Sequence, residues 1–245
     1  MKVLSGARRV ERVRHELLRR DVEVLRVTAL GANFVSVDFG AESLASFVSL
    51  GFDDHVKFMF SDENGEVVRR DYTPRRFDRE KREVTIEFAL HGDGKASEWA
   101  RNATPGRHAV IGGPRGSMIV PMDYDWHLLT GDATALPAIH RRLEELPSGA
   151  HAIAVIQIAD AADRREFRSA ARLDVQWVPT TEALIAAVSA LTLPPGDGFA
   201  WGGGEASAMI RVRQILLEKG HPREAMRVAA YWKQGASEYH ENLDR

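Results

Sequence analysis

The chain changes its pattern of secondary structure about halfway along, and this change constrains the fold more than any other feature. Between residues 22 and 120, short runs rich in β-branched and aromatic residues alternate with turn signals, which predicts a small antiparallel β-barrel. From Trp126 onward, short apolar strands alternate with helical segments. The continuous apolar run at 152–156 is typical of a parallel sheet that is covered on both faces. The sequence therefore predicts a β-barrel domain at 1–122 and an α/β domain at 123–245.

The individual elements follow from the same patterns. The predicted barrel strands are 22–28, 34–39, 56–60, 67–72, 84–90, 108–111 and 117–120. The second domain is predicted to have strands at 127–130, 152–159, 175–178, 200–201 and 228–231, with helices at 135–145, 164–171, 182–190 and 205–218. Val10, Val13 and Leu17 recur at helical spacing among arginines and glutamates, so we expect an amphipathic helix at 8–20.

The predicted strand at 67–72 ends in side chains that suit a flavin. Side chains alternate along a strand, so Arg70 and Tyr72 share one face, Thr73 points the other way, and Pro74 is expected to end the ladder. Arg70 would bind a diphosphate, Tyr72 would lie against a ring system, and Thr73 would donate a hydrogen bond near the polar edge of that ring. The alternative is an exposed edge strand with a half-buried tyrosine.

The loop after the predicted strand at 84–90 has the composition of an anion site. Gly92 and Gly94 allow close backbone approach, and Ser97 lies near the start of a short helix, where amide donors point outward. Lys95 adds a cation to this loop. The alternative is an ordinary surface turn, because Asp-Gly is a common turn signal.

Three strand ends in the second domain carry further candidates, because ligands of parallel sheets bind at the carboxyl ends of strands. Asp132 and Thr134 follow the first strand, where Thr134 is expected to cap a helix that has Pro137 in its first turn. The segment 202–205 (Gly-Gly-Gly-Glu) follows the fourth strand and would admit a flat ring close to the backbone, or form a plain β-to-α turn. Asp160, at the end of the second strand, would bind ribose hydroxyls, whereas the neighbouring arginines 164 and 165 would bind a 2'-phosphate.

Seven short motifs together resemble the siderophore-interacting protein family, a group of flavin-dependent ferric-siderophore reductases in the ferredoxin-reductase-like superfamily. They are Asp-Asp-His-Val-Lys at 53–57, Arg-x-Tyr-Thr at 70–73, Leu-His-Gly-Asp-Gly at 90–94, Gly-Gly-Pro-Arg-Gly at 112–116, the segment 130–139, Gly-Glu at 204–205 and Tyr-Trp-Lys-Gln-Gly at 231–235. The resemblance covers nearly the whole chain. It departs from the family pattern at Lys95, at the glycines before Gly204 and at Ala230.

The resemblance implies that a nicotinamide cofactor, NADPH or NADH, gives hydride to FAD and that the reduced flavin passes single electrons to chelated Fe(III). It places FAD and the nicotinamide cofactor on a set of cofactor-binding residues: Arg70, Tyr72, Thr73, His91, Gly94, Ala96, Ser97, Asp132, Thr134, Gly204, Glu205 and Trp232. Lys57 and Lys233 would frame a basic pocket for an anionic catecholate or hydroxamate chelate, although either lysine alone is also typical of a solvated surface charge. The C-terminal segment is expected to return to the flavin cleft. No catalytic acid, base or nucleophile is required, and the iron would arrive within the substrate.

Composition excludes other classes. The 33 basic and 35 acidic residues give a formal charge of -2, which does not favour nucleic acid as a partner. The chain has no cysteine, and its nine histidines show no paired metal-ligand spacing, so no protein-bound metal is expected. The sequence contains no long apolar run or leader segment, so we expect a cytoplasmic protein without a membrane segment, and a monomer. Two alternatives remain open: a flavin reductase of a redox protein or quinone, and a flavin-free siderophore-binding protein.

Overall fold

The computed structural model describes residues 9–90, 92, 94–236 and 241–243. The strands of the first half are β1 (Glu11–Arg14), β2 (Arg19–Ala29), β3 (Phe34–Gly40), β4 (Val56–Ser61), β5 (Val67–Tyr72), β6 (Pro74–Asp78), β7 (Glu83–Ala89), β8 (His108–Gly112) and β9 (Gly116–Ile119). Those of the second half are β10 (Trp126–Gly131), β11 (His151–Gln157), β12 (Arg172–Val178), β13 (Gly198–Glu205), β14 (Met226–Trp232) and β15 (Glu241–Asn242). The α-helices are α1 (Lys95–Arg101), α2 (Leu136–Glu145), α3 (Thr181–Ala190) and α4 (Ala206–Glu218). Short 3-10 turns form at Glu42–Ser46, Ala133–Ala135, Ala161–Asp163 and Arg223–Ala225.

The first half forms an antiparallel barrel-like sheet with the strand order β5-β4-β8-β2-β3-β7-β6. β5 and β6 are consecutive in the chain but form the two edges of this sheet, so the sheet must curl until Thr73 can join them. The interior is aromatic: Trp99 of α1 packs edge-on against Phe58, with ring centroids 4.7 Å apart, and also against Phe88. Helix α1 therefore closes the interior of the barrel, and the predicted antiparallel fold is confirmed.

The second half is an α/β sheet with the order β12-β11-β10-β13-β14-β15, in which the first five strands are parallel and β15 is antiparallel. Apolar side chains of α2 pack on one face of the sheet, whereas those of α3 and α4 pack on the other. Because both faces are covered, strands such as β11 are apolar throughout, as the sequence predicted. The carboxyl ends of β10, β13 and β14 lie side by side at one edge.

The predicted helix at 8–20 is wrong in the part of it that the structure describes. That segment instead contains β1 and the start of β2, and β1 pairs with β9 so that Val13 lies opposite Ser117. Backbone pairing with a distant strand overrides the local helical spacing of the valines. The same pairing removes the segment 117–120 from the barrel sheet, in which it was predicted. The barrel sheet instead contains β6, which begins at Pro74, the residue that was expected to end the ladder.

The predicted helix at 164–171 is also wrong, because this segment has no regular secondary structure after the turn Ala161–Asp163. Contacts with the barrel account for the difference. Asp163 accepts hydrogen bonds from the backbone amides of Ala32 and Asn33, both at 2.8 Å, and its second oxygen accepts one from the Asn33 side chain at 2.9 Å. The segment therefore serves as a connection between the two sheets.

Candidate functional site

Arg70 and Tyr72 lie on the same face of β5, as predicted. Their cross-strand partners on β4 are the buried residues Phe58 and Val56, so this face is the interior one. The Tyr72 ring lies 4.4 Å from the Phe88 ring and meets Phe58 edge-on. Burial raises the pKa of the Tyr72 phenol, which keeps it neutral. The packing fixes the tyrosine ring against the barrel interior, on a strand that contacts α1.

The start of α1 lies against the same part of the barrel, because α1 packs against β3, β5 and β7. Gly94 is its N-cap, and Ala96 and Ser97 are buried in its first turn. Lys95 does not add a free cation there, since its ammonium lies 2.5 Å from Asp62 in the turn between β4 and β5. That ion pair ties the helix start to the β4–β5 hairpin. His91, also predicted to bind the cofactor, lies outside the described residues.

Thr73 is buried at the corner where the chain passes from one barrel edge to the other. The next residue is held from the second domain, because Arg141 of α2 donates to the Pro74 carbonyl at 3.1 Å. The same guanidinium also donates to the Ser49 hydroxyl at 2.8 Å. The position of Thr73 is therefore fixed by both halves of the protein.

Asp132 connects four of the other predicted residues. Its Oδ1 accepts hydrogen bonds from the Thr134 amide at 2.8 Å and from the Thr134 hydroxyl at 2.6 Å. Its Oδ2 accepts from the Glu205 amide and from Trp232 Nε1, both at 2.8 Å. Gly204 lies against the same oxygen, where an added Cβ would approach to 2.6 Å. One carboxylate thus joins the ends of β10, β13 and β14.

Two of these side chains have capping roles that differ from the expectation. The cap of the turn Ala133–Ala135 is Asp132, not Thr134, because Asp132 accepts the orphan amide and Thr134 donates to it. Pro137 falls in the first turn of α2, as predicted. Glu205 caps α4, since its carboxylate accepts from the amides of Ser207 at 2.7 Å and Ala208 at 3.2 Å. Glu205 therefore orients the α4 start beside the glycines of β13.

The residues considered for nucleotide selection are largely engaged elsewhere. Asp160 caps the turn Ala161–Asp163 by accepting from the Ala162 amide at 2.8 Å. Arg165 points back to the barrel, where its guanidinium lies 3.4 Å from Glu87 and 4.8 Å over the Phe34 ring. Arg164 is exposed at this strand end.

Lys57 lies on the outer face of β4, directly opposite Asp71 on β5, and the two side chains form an ion pair with Nζ and Oδ2 2.8 Å apart. Lys233 directly follows β14. Burial raises the pKa of Tyr231 at the tip of β14, and the negative charges of Asp53, Asp132 and Asp71 raise it further. Asp53, in the loop that leads into β4, accepts a hydrogen bond from Arg227 of β14, which brings the start of β4 with Lys57 to the same side of the molecule as β14.

Sequence reasoning missed the contact that joins the two halves behind this cleft. Asp53 is buried in the loop before β4, and its Oδ2 accepts from Arg227 Nε at 2.7 Å and from Trp201 Nε1 at 3.2 Å. Trp201 belongs to β13 and Arg227 to β14. The only signal in the sequence was that Asp53 begins one of the seven motifs, and it did not indicate a partner.

A second interdomain contact brings the two predicted half-sites together. β7 leads into the 90–94 loop, and β7 itself packs against the turn Ala133–Ala135 that follows Asp132.

Among the residues that the structure describes, no three His, Asp or Glu side chains are grouped so as to hold a metal ion. None of the described helices is both long enough and apolar enough to cross a membrane.

Two family models match the chain. Residues 61–118 match the siderophore-interacting FAD-binding domain, and residues 124–235 match the siderophore-interacting protein model. An NADPH-dependent ferric-chelate reductase of Escherichia coli K12 is 32% identical, over 91% of this chain and 96% of that protein.

Solved structures give the same picture of the fold. The crystal structure of a siderophore utilization protein from T. fusca aligns with a TM-score of 0.89 and 34% identity, covering 94% of this chain and 98% of that one. The ferredoxin reductase of a carbazole 1,9a-dioxygenase aligns with a TM-score of 0.66 at 18% identity, over 86% of this chain and 68% of that one. The architecture is thus ferredoxin-reductase-like.

Proposed function

This chain belongs to the siderophore-interacting protein family, and from that membership and the geometry of its cleft we propose that it is a ferric-siderophore reductase that uses FAD and NADPH. The E. coli relative is named for NADPH-dependent reduction of ferric chelates, and the matching family model is a siderophore-interacting FAD-binding domain. The observation that carries the proposal is the contact between the two domains in which β7 packs against the turn Ala133–Ala135 after Asp132.

The residues of the barrel fit FAD in their chemistry. Arg70 supplies a guanidinium for the diphosphate, and the first turn of α1, with Gly94, Ala96 and Ser97, supplies backbone amides beside it. Tyr72 offers a ring held by Phe88, and Thr73 offers a hydroxyl at the barrel corner. We assign His91 to the same group from the motif that contains it. Bound FAD would supply the chemistry that side chains lack, namely the exchange of electron pairs for single electrons.

The second domain would receive the nicotinamide cofactor. Asp132 holds Thr134, Glu205 and Trp232 at one point, and the absence of a Cβ at Gly204 lets that backbone lie directly against the Asp132 carboxylate. In this arrangement Trp232 lies at the tip of β14, where its ring would control access to the flavin face. Engagement of Arg165 by the barrel leaves Arg164 as the arginine available for a 2'-phosphate.

Lys57 and Lys233 would receive the ferric chelate on the outer side of the cleft. We propose that the protein acts as a monomer. We also propose a cytoplasmic location, because the reaction consumes NADPH. Domain limits of 1–122 and 123–245 are supported by the two family models, which end at 118 and begin at 124.

The visible spectrum of the purified protein tests the proposal. It is followed without oxygen while NADPH and then a ferric siderophore are added. We expect flavin bands that bleach with NADPH and return as the ferric complex is consumed. A yellow protein that bleaches but returns only with a quinone or a redox protein would identify a different acceptor. A colourless protein that takes up no FAD would contradict the reductase assignment and favour a flavin-free siderophore-binding protein.

A further inference from the structure

The ion pair between Lys57 and Asp71 changes the charge of the substrate side of the cleft. Lys57 was expected to offer a free cation, but its ammonium is 2.8 Å from Asp71 Oδ2. The second oxygen of that carboxylate, Oδ1, is buried and accepts no hydrogen bond from the residues that the structure describes. The ion pair has no net charge, so Asp71 cancels the positive charge that Lys57 was expected to offer on this surface.

Other fixed acids surround the same region. Asp53 and Asp132 act together with Asp71 on Tyr231 at the tip of β14, and Arg227 opposes them. Asp132 is satisfied by neutral donors, namely two backbone amides, a hydroxyl and an indole, so its charge is not cancelled by a cation at those contacts. Bound FAD would add its own diphosphate charge. The cleft is consequently far less basic than its two lysines suggest.

Resting on the proposed function, we propose that Asp71 is a specificity-determining residue, which disfavours polyanionic ferric chelates and makes ferric tris-hydroxamates the preferred substrate class. Three dianionic catecholates around Fe(III) leave three negative charges, whereas three hydroxamates leave the complex neutral. Repulsion by one carboxylate acts on each charge of the ligand, so it discriminates strongly between these complexes. The same carboxylate holds the Lys57 ammonium in place. The ion pair would therefore discriminate between ferric chelates by their charge without changing its own geometry.

Binding measurements with gallium complexes test this directly. Ga(III) has the charge and nearly the size of Fe(III) but is not reduced, so the affinity is separated from the reduction potential of the chelate. The dissociation constants of a gallium tris-catecholate and a gallium tris-hydroxamate are measured with the FAD-loaded protein by tryptophan fluorescence. For the wild type we expect tighter binding of the hydroxamate. In Asp71→Asn, affinity for the catecholate should rise by about tenfold or more, with little change for the hydroxamate.

Two further variants keep the inference testable. Glu63→Gln removes one negative charge from the exposed tip of the β4–β5 hairpin and should leave the affinity ratio unchanged. Lys57→Gln leaves Asp71 without its cation and should weaken catecholate binding. The change in catecholate affinity then has the opposite sign from that in Asp71→Asn. A ratio that stays within about twofold of the wild type in Asp71→Asn would overturn the role of Asp71, whatever the result for Lys57→Gln.

Steady-state reduction of the two ferric complexes by NADPH distinguishes this failure from failure of the proposed function. If the wild type reduces ferric chelates while the affinity ratio does not respond to Asp71, only the specificity assignment fails. If the FAD-loaded wild type oxidises NADPH with a dye acceptor but reduces neither ferric complex, the reductase proposal fails and the specificity assignment fails with it.

Discussion

At the scale of single residues, Arg70 is the clearest test of cofactor binding. It shares the inner face of β5 with Tyr72, whereas Arg69 is exposed on the outer face of the same strand. Arg70→Ala should raise the dissociation constant for FAD by about 10- to 100-fold, because a charge-assisted contact to the diphosphate is lost. Titration of apoprotein with FAD measures this change.

Arg69→Ala is the matched control for that variant. It removes the same side chain one position away, from the face that does not look toward α1. Unchanged FAD affinity in Arg69→Ala together with weakened affinity in Arg70→Ala would support the diphosphate assignment. Equal affinities in Arg70→Ala and the wild type would refute it.

Asp132 illustrates how one carboxylate can organise several strands. In Asp132→Asn, an NH2 group replaces one of the two carboxylate oxygens. If the NH2 group takes the place of Oδ2, the Glu205 amide and Trp232 Nε1 both lose their acceptor and face another donor. We expect the free energy of unfolding to fall by about 2 kcal/mol, as for loss of hydrogen bonds to a charged group. Because Trp232 would no longer be held at the β14 tip, the KM for NADPH should also rise.

Asp160→Asn provides the comparison for Asp132→Asn. Asp160 is exposed, and its side chain caps a short turn by accepting a hydrogen bond from the Ala162 amide. Denaturant titration and NADPH kinetics should both remain close to wild type in this variant. A rise in KM of similar size in both variants would show that Asp132 has no special position in the site.

At the scale of elements, Arg141 of α2 is the main link between that helix and the barrel. It is buried and donates to the Ser49 hydroxyl, the Ser49 carbonyl and the Pro74 carbonyl, and also to Glu145 on its own helix. A lysine cannot reproduce this planar set of donors. Arg141→Lys should therefore lower the free energy of unfolding by about 3 kcal/mol, measured by denaturant titration.

The control for Arg141→Lys is Arg211→Lys on α4. Arg211 is exposed and makes a side-chain ion pair with Glu218 on the same helix, at 3.3 Å. Such surface pairs contribute about 0 to 1 kcal/mol, so the control should unfold almost as the wild type does. If Arg141→Lys also unfolds as the wild type does, then α2 is held to the barrel by apolar packing and not by this guanidinium.

The elements that local patterns predicted are those whose own side chains decide their structure. Strand β11 is apolar throughout because both of its faces are covered, and α4 shows a helical apolar stripe, so both follow from the sequence. The segments 8–20 and 164–171 failed because distant partners decide them. Strand β1 needs β9, and the irregular segment after Asp163 begins where Asp163 accepts from the amides of Ala32 and Asn33.

The candidate site divides in the same way. Alternation along β5 was enough to place Arg70 and Tyr72 on one face, because strand geometry is local. The pairing of Lys57 with Asp71 depends on the register of the β4–β5 hairpin, which the motifs did not supply. The contacts of Asp53 with Trp201 and Arg227 cross between the two domains and join residues that are 148 and 174 positions apart in the chain. No local pattern encodes such a contact.

At the scale of the whole molecule, the interface between the two sheets combines a buried apolar cluster, in which Phe52 meets Trp201 edge-on, with buried polar contacts. Asp163, Arg141 and Asp53 each contact the other half through hydrogen bonds, and Glu87 lies within 3.4 Å of both Arg75 and Arg165. Removal of one partner from such a set leaves a buried charge uncompensated, which costs more than an exposed pair. We therefore expect the barrel and the α/β domain to unfold together.

The stability of the whole molecule should also depend on pH through His127. This residue is fully buried in β10, its ring meets Tyr124 edge-on, and Arg142 lies nearby. Burial, followed by the positive charge of Arg142, lowers the pKa of His127 from 6.5 to about 4. Between these values the unfolded chain binds a proton that the folded protein does not, so acid favours unfolding and the stability is lost as the pH falls through 6.5 toward 4.

This linkage predicts that the free energy of unfolding falls by about 2 kcal/mol between pH 7 and pH 5 because of His127 alone. In His127→Asn the decrease over the same interval should be smaller by that amount, whatever the variant does to stability at pH 7. His108→Asn, which removes an exposed imidazole from β8, controls for the loss of a histidine as such. Urea titrations at the two pH values give the comparison. If His127→Asn and the wild type lose the same free energy on acidification, other buried groups of the domain interface, and not His127, set the acid sensitivity.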